Sequence, residues 1–164
     1  INGIEITKNH DLVAQNVEYI GHLNSVKRQL TAWDNLKFWN SFSEPHDRFD
    51  LDRQFNDPML INNIKHQPIA LCSSGQIRRV ALSRLHTSKK KLWLLDEPTS
   101  ALDKQSIENF EKLVESHCLK GGAVVIATHM PLTIPNINST SIKIKKGENK
   151  QTNTHADPFL SGDW

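Results

Sequence analysis

An α/β fold built on a parallel sheet is predicted by three observations. Leu92–Leu95 is an apolar run of strand length, continuous enough to be covered on both faces. Ile107, Phe110, Leu113 and Val114 recur at helical spacing between Lys104 and Cys118. Ala123–Ala127 is a second apolar run, read as another buried strand, and Gly121-Gly122 separates it from the helix. Strand, helix and strand in that order predict a right-handed crossover.

The remaining elements follow along the chain. Ile1–Ile6 alternates isoleucine with other residues around Gly3, the pattern of an edge strand or hairpin arm. Val17–Ile20 reads as a short strand ending at Gly21-His22. Trp33, Leu36, Phe38, Trp39 and Phe42 are spaced as on a helix, with Thr31 as its cap. Pro45 breaks that helix within a polar stretch, Ser43–Asp57, that leaves room for a short helical return. Pro58 and Pro68 frame a connector, Met59–Ile69, of no clear period. From Ser74 to Leu85 the period is helical again. Ile77, Val80, Ala81 and Leu85 face the core, and Arg78, Arg79 and Arg84 are expected to point elsewhere. Ser141–Lys145 is expected as a last edge strand, and the polar run from Lys146 to the end as a mobile tail.

Composition excludes several classes. At 164 residues the chain can enclose one real core, and 37% hydrophobic with 23% charged residues describes a globular chain. The net charge of +2 argues neither for nor against nucleic acid and supplies no basic footprint to build on; no nucleic-acid partner is expected. No apolar run approaches the roughly 20 residues of a membrane span, so any membrane association must come through a partner. Cys72 and Cys118, the only cysteines, have no metal-ligand spacing and suggest a reduced compartment. The chain starts at Ile1 without a visible targeting segment; we read this as a missing N-terminus.

The chemistry concentrates between residues 73 and 129. A buried strand delivers Asp96 and Glu97 to the carboxyl edge of the sheet, where α/β proteins bind ligands. Asp96 is placed to hold Mg²⁺, which favours one or two carboxylates together with phosphate oxygens. Glu97 is placed to orient and deprotonate a water, in a phosphoryl transfer that depends on positioning and charge. Standing alone, the pair could equally be a helix cap at a strand end. Ser73-Ser74-Gly75-Gln76 opens the next helix, whose free N–H groups and positive dipole end suit a phosphate. Ser73 adds a hydroxyl, and Gly75 allows close backbone approach. An ordinary capped helix is the competing reading. Asp103 caps the helix from Lys104, and Lys89-Lys90-Lys91 reads as a solvated loop. No glycine in the sequence is followed by lysine, so the G-x-x-x-x-G-K-[ST] phosphate loop is absent.

Ser73-Ser74-Gly75-Gln76 and Leu92–Pro98 resemble the signature and Walker B segments of ATP-binding cassette (ABC) ATPases, at the separation usual in that family. The resemblance implies a P-loop NTPase-like ABC nucleotide-binding domain, N-terminally incomplete. Residues 1–145 would form the partial domain and residues 146–164 a polar tail. It implies that Ser100–Asp103 is the D-loop, touching a dimer partner at Asp103, and that His129 is the switch histidine at the γ-phosphate of ATP. His22 falls where most ABC domains carry the Q-loop glutamine. Cys72 stands where leucine is usual and is taken as a packing variant.

Ile20–His22 with Leu30–Phe38, and Ser73–Leu85, look like the ATP-binding subunit of the cytochrome c maturation (haem exporter) transporter, in which a histidine at the Q-loop position is usual. That resemblance implies ATP and Mg²⁺ as ligands and a head-to-tail dimer with a second ABC subunit. It also implies a polytopic membrane partner and, indirectly, a haem chaperone released on hydrolysis. The setting would be peripheral, on the cytoplasmic face of a bacterial inner membrane or the matrix face of a mitochondrial one. If Ile1 is the true start, the isolated chain is expected to lack ATPase activity and to complete only a partner's site. If a loop lies upstream, the full subunit is an ordinary ATPase. An ABC ATPase of another system, such as lipoprotein release, is the alternative; a repair ATPase would need coiled-coil heptads, and none appear.

Overall fold

The computed structural model of the chain describes Glu5, residues 10–43 and residues 48–144. The expected arm at Ile1–Ile6 (Glu5 apart), the break at Pro45 and the tail from residue 145 lie outside the described residues.

Three parallel strands form the sheet: β1 (Val17–Ile20), β2 (Leu92–Asp96) and β3 (Ala123–Ala127), with β2 in the centre. Tyr19, Leu94 and Val125 stand in one row of the register, and Ile20, Leu95 and Ile126 in the next. The helices are α1 (His10–Asn16), α2 (Ala32–Asn40), α3 (Leu51–Gln54), α4 (Ser74–Thr87) and α5 (Lys104–Leu119). The connector between the prolines holds one 3₁₀ turn, Asn62–Ile64, and a second, Ile69–Leu71, follows Pro68. The helical return expected before Asp57 is α3. Short-range chemistry explains the helix starts. The Thr31, Ser73 and Asp103 side chains each accept from a backbone N–H three residues on. Gly121, with φ of 87°, ends the α5 unit in the left-handed region that glycine adopts freely.

The core lies on one face of the sheet. Ile20, Trp93 and Leu95 are buried there against Val80, Leu82 and Leu85 of α4 and Phe110 and Val114 of α5. The opposite face carries Tyr19 and Val125 at 60% and 59% exposure. Two expectations are corrected here. Neither β2 nor β3 is covered on both faces among the described residues, and β3 is an edge strand with Ala123, Val125 and Ala127 exposed. An apolar run cannot distinguish a strand buried twice from one buried once at a sheet edge.

Of the edge strand expected at Ser141–Lys145, the described residues 141–144 form none, and Ile142 and Ile144 are 82% and 92% exposed. The arginines of α4 also depart from expectation. Arg78 is 2% exposed, and Arg84 turns in to Glu18. Arg84 Nε lies 2.8 Å from Glu18 Oε1, and Ser88 Oγ donates to Glu18 Oε2 at 3.0 Å. The Arg84 guanidinium also covers the Trp39 ring and donates to Tyr19 O. This cluster locks the end of α4 to β1.

The loop between β1 and α2 is fixed by one buried amide. Asn35 Nδ2 donates to Lys27 O and Thr31 O at 3.0 and 2.9 Å, and its Oδ1 accepts from Lys27 N at 2.8 Å. Backbone bonds from Ile69 to Leu30 and from Ala70 to Arg28 zip the same loop onto the second 3₁₀ turn. The turn carrying His22 therefore leaves β1 toward a rigid anchor.

Phe110, fully buried at the junction of α5 with the sheet, sets the expected stability scale. Phe110→Ala should cost about 3–5 kcal/mol in denaturant unfolding. Lys112→Ala, on the exposed face of the same helix, should change stability by no more than about 0.5 kcal/mol.

Candidate functional site

The strand order brings the carboxylate pair to the carboxyl edge of the sheet. Asp96 ends β2 opposite Ala127, and Glu97 N donates to Ala127 O at 2.8 Å, one step beyond the strand. Glu97 then takes φ of 45°, in the left-handed region, at a cost of about 1–3 kcal/mol for a residue with a side chain. Its side chain turns toward the segment after β3. Glu97 Oε1 lies 2.9 Å from His129 Nδ1 and accepts from His129 N at 3.0 Å. Thr128 Oγ1 donates to Glu97 Oε2 at 3.3 Å. The hydrogen bond from the His129 side chain is the main cause that holds the Glu97 carboxyl below its ordinary value, against a smaller opposing effect of burial. The Glu97 carboxylate thus has a fixed direction.

The second cluster lies at the helix starts. Ser73 and Gln76 form a reciprocal cap: Gln76 N donates to Ser73 Oγ at 3.2 Å, and Ser73 N to Gln76 Oε1 at 2.8 Å. Both groups act as acceptors in this cap, so the Ser73 hydroxyl hydrogen and the Gln76 amide hydrogens stay available to a ligand. Asp103 caps α5 through Ser106 N at 2.7 Å, a bond that also holds its carboxyl low. Between the two helix starts opens a cleft of about 380 Å³, bordered by Ser73, Ser74, Gly75, Gln76, Arg79, Ala101, Leu102, Asp103 and Ser106. Gly75 is required by this closure. A Cβ there would stand 2.7 Å from Ala101 O, and Ala101 itself has φ of 63°.

The sequence-predicted residues therefore gather in two places. Ser73, Ser74, Gly75, Gln76 and Asp103 border the cleft, whereas Asp96, Glu97 and His129 share the sheet edge. His22 stands apart and exposed, on the turn after β1.

What joins these parts is a residue that sequence reasoning assigned outward. Arg78 spends all five guanidinium donors on neutral oxygens. Nε donates to Pro98 O at 3.0 Å, and Nη2 to Asp96 O and Glu97 O, both at 2.8 Å. Nη1 donates to Gly21 O at 3.0 Å and Asn24 Oδ1 at 2.8 Å, on either side of His22. Burial lowers its pKa, with Asp96 and Glu97 pulling the other way. Thr128 and Asn24 were likewise missed. The signal for Arg78 was its phase: with Ala81, Leu82 and Leu85 it occupies the buried i, i+3, i+4, i+7 positions of α4.

The donor set tests the fit of a magnesium ion. Among the described residues no three His, Cys, Asp or Glu side chains converge into a metal cage. One or two carboxylates at a sheet edge suit a cation that brings phosphate oxygens and water as its other ligands. Asp96, at the end of β2, is a carboxylate of that kind, while both oxygens of Glu97 are engaged by Thr128 and His129.

Comparison with known proteins agrees with this geometry. The family model described as ABC transporter matches residues 1–100. The chain is 34% identical over 143 residues to the cytochrome c biogenesis ATP-binding export protein CcmA of Haemophilus influenzae, an alignment covering 87% of this chain and 68% of that protein. It is 40% identical over 122 residues to CcmA of Mesorhizobium japonicum, covering 74% of this chain and 60% of that protein. The chain spans about two thirds of the length of these curated relatives. Among solved structures, an ATP-binding subunit of an ABC transporter superposes with a TM-score of 0.67 at 18% identity, covering 79% of this chain and 55% of that one. A dimeric ATP-binding cassette in a post-hydrolysis state, bound to ADP and Pi, gives 0.61 at 21% identity, covering 79% and 59%. These likenesses speak for the fold alone. Because the matching family model spans more than half of the sequence, the chain belongs to the ABC transporter family of ATP-binding proteins.

Proposed function

We propose that this chain forms part of the ATP-hydrolysing subunit of a transporter for cytochrome c maturation. The observation that carries the reading is Glu97, held by His129 and Thr128 at the carboxyl end of β2. The names of its relatives supply the biological process: they are cytochrome c biogenesis export proteins.

In this mechanism Glu97 orients the attacking water and accepts its proton, while His129 steers the carboxylate and reaches toward the γ-phosphate. Asp96 is the residue that would hold Mg²⁺, which when bound neutralises charge on the phosphate oxygens. The cleft acts on a different nucleotide. Ser73, Gly75 and Gln76, at the positive end of α4, close over ATP held by a second ABC subunit packed head to tail. Asp103 lies beside that junction. His22 has the exposure needed to meet a polytopic membrane subunit. Hydrolysis would then drive haem export or release of a haem chaperone, with the chain peripheral on the cytoplasmic or matrix face of the membrane. No helix among the described residues is long and apolar enough to cross a membrane.

A second reading rests on the cleft between the starts of α4 and α5 alone. In it the chain completes a partner's ATP site and holds no nucleotide of its own. Photocrosslinking with azido-ATP separates the two. The ATPase subunit is labelled by itself, and a half-site partner only beside the chain that supplies the loop.

For the assembled transporter, Glu97→Gln should reduce ATP turnover by about 10²–10⁴-fold while ATP binding is retained, measured by phosphate release and by nucleotide retention. Unchanged turnover would remove Glu97 from catalysis. Because the Glu97 pKa is lowered in the folded chain, its base function should persist down through the ordinary carboxylate range and fail only below it. His129→Ala should shift that acid limb of kcat to higher pH; a limb that stays in place argues against the pairing.

A further inference from the structure

We propose that Arg78 is the positioning residue of the hydrolytic site, fixing Glu97 in its left-handed turn and coupling that turn to the one that bears His22. The proposal rests on the ATPase reading above and goes beyond it, because the bonds of Arg78 go to oxygens of the chain itself. Three of its five bonds go to consecutive carbonyls, Asp96 O, Glu97 O and Pro98 O. That is the stretch in which the backbone enters the left-handed region, at Glu97. Side-chain bonds to His129 and Thr128 aim the carboxylate, and Arg78 holds the backbone from which it is aimed. The other two bonds reach Gly21 O and Asn24 Oδ1, so His22 lies inside a turn held at both ends by the same cation.

The geometry makes this a joint as well as a clamp. A guanidinium is planar and rigid, so its two faces of donors cannot move independently. Displacement of the turn at residues 21–24 must either break two charged hydrogen bonds or carry the guanidinium with it, and with it the carbonyls at residues 96–98. Arg78 also lies one helical turn beyond Ser74, which begins α4 beside the cleft. Closure of a partner on the cleft, and force on the turn at His22, therefore reach Glu97 through one side chain. Lysine cannot substitute: its ammonium has three donors and no plane, and cannot serve five acceptors in this arrangement.

The test uses the full-length subunit assembled with its membrane partner, with kcat and KM for MgATP measured in parallel. Arg78→Lys should lower kcat by at least about tenfold while KM stays within about threefold, the signature of a displaced catalytic group rather than a lost ATP site. In a Glu97→Gln background the same substitution should cause no further loss. In Arg78→Ala, added methylguanidinium should restore kcat in a saturable manner, and urea should not. Unchanged kcat in Arg78→Lys, or an equal fall in the Glu97→Gln background, overturns the proposal. If Arg78→Lys does not assemble, Asn24→Ala decides, since it removes one acceptor at the surface end. A roughly threefold lower kcat at constant KM supports the coupling, and an unchanged kcat ends it. A parent complex without Glu97-dependent turnover fails the ATPase reading itself, an outcome distinct from a working parent that is indifferent to Arg78.

Discussion

A buried guanidinium whose donors all go to neutral oxygens is a demanding object. Its desolvation costs several kcal/mol, and only complete hydrogen bonding offsets that. At Arg78 the offset comes from five oxygens distributed over residues 21–98, and each bond to the charged group contributes about 1.5–3 kcal/mol. The turn after β1, the turn after β2 and helix α4 must all be in place before the full set of those bonds is made. The constraint thus runs through the whole fold: the sheet places residue 96, α4 places the guanidinium, and the Asn35 anchor returns the first loop to α2.

Around this joint the polar chemistry separates into two clusters with different needs. The sheet edge needs a fixed anion, and receives Glu97 with both oxygens engaged by the segment after β3. The cleft needs free donors, and its capping box satisfies the acceptors of Ser73 and Gln76 while leaving hydrogens to offer. Both clusters lie at element ends because those are the places where backbone groups and strand-borne side chains are unclaimed by regular structure.

Much of this was legible in the sequence. The apolar runs located β2 and β3, and the caps at Thr31 and Asp103 set two helix starts. The carboxylate pair and the glycine of the signature turn pointed to the proposed site. Misread features share a cause, which is dependence on partners distant in sequence. Arg78 looks like a surface cation until the carbonyls of residues 96–98 are known to lie beneath it. Arg84 looks solvated until Glu18 on β1 arrives. β3 reads as doubly buried because an apolar run carries no label for which face is covered, and Ser141–Ile144 alternates like a strand but forms none among the described residues. α1 carried no signal of its own strong enough to notice.

The approach of Ala101 O to Gly75 has a consequence for how this surface can vary. With 2.7 Å between that oxygen and the place of a Cβ, the signature turn and the loop after the carboxylates occupy one shared volume. Neither can drift in sequence alone. A larger residue at position 75 is admissible only if the loop at 101 is rebuilt in the same step, and Ala101 is already in a left-handed conformation with little freedom to yield. The two segments therefore form a single unit of inheritance. Their sum, rather than either motif, is what a matching surface on another subunit would have to recognise.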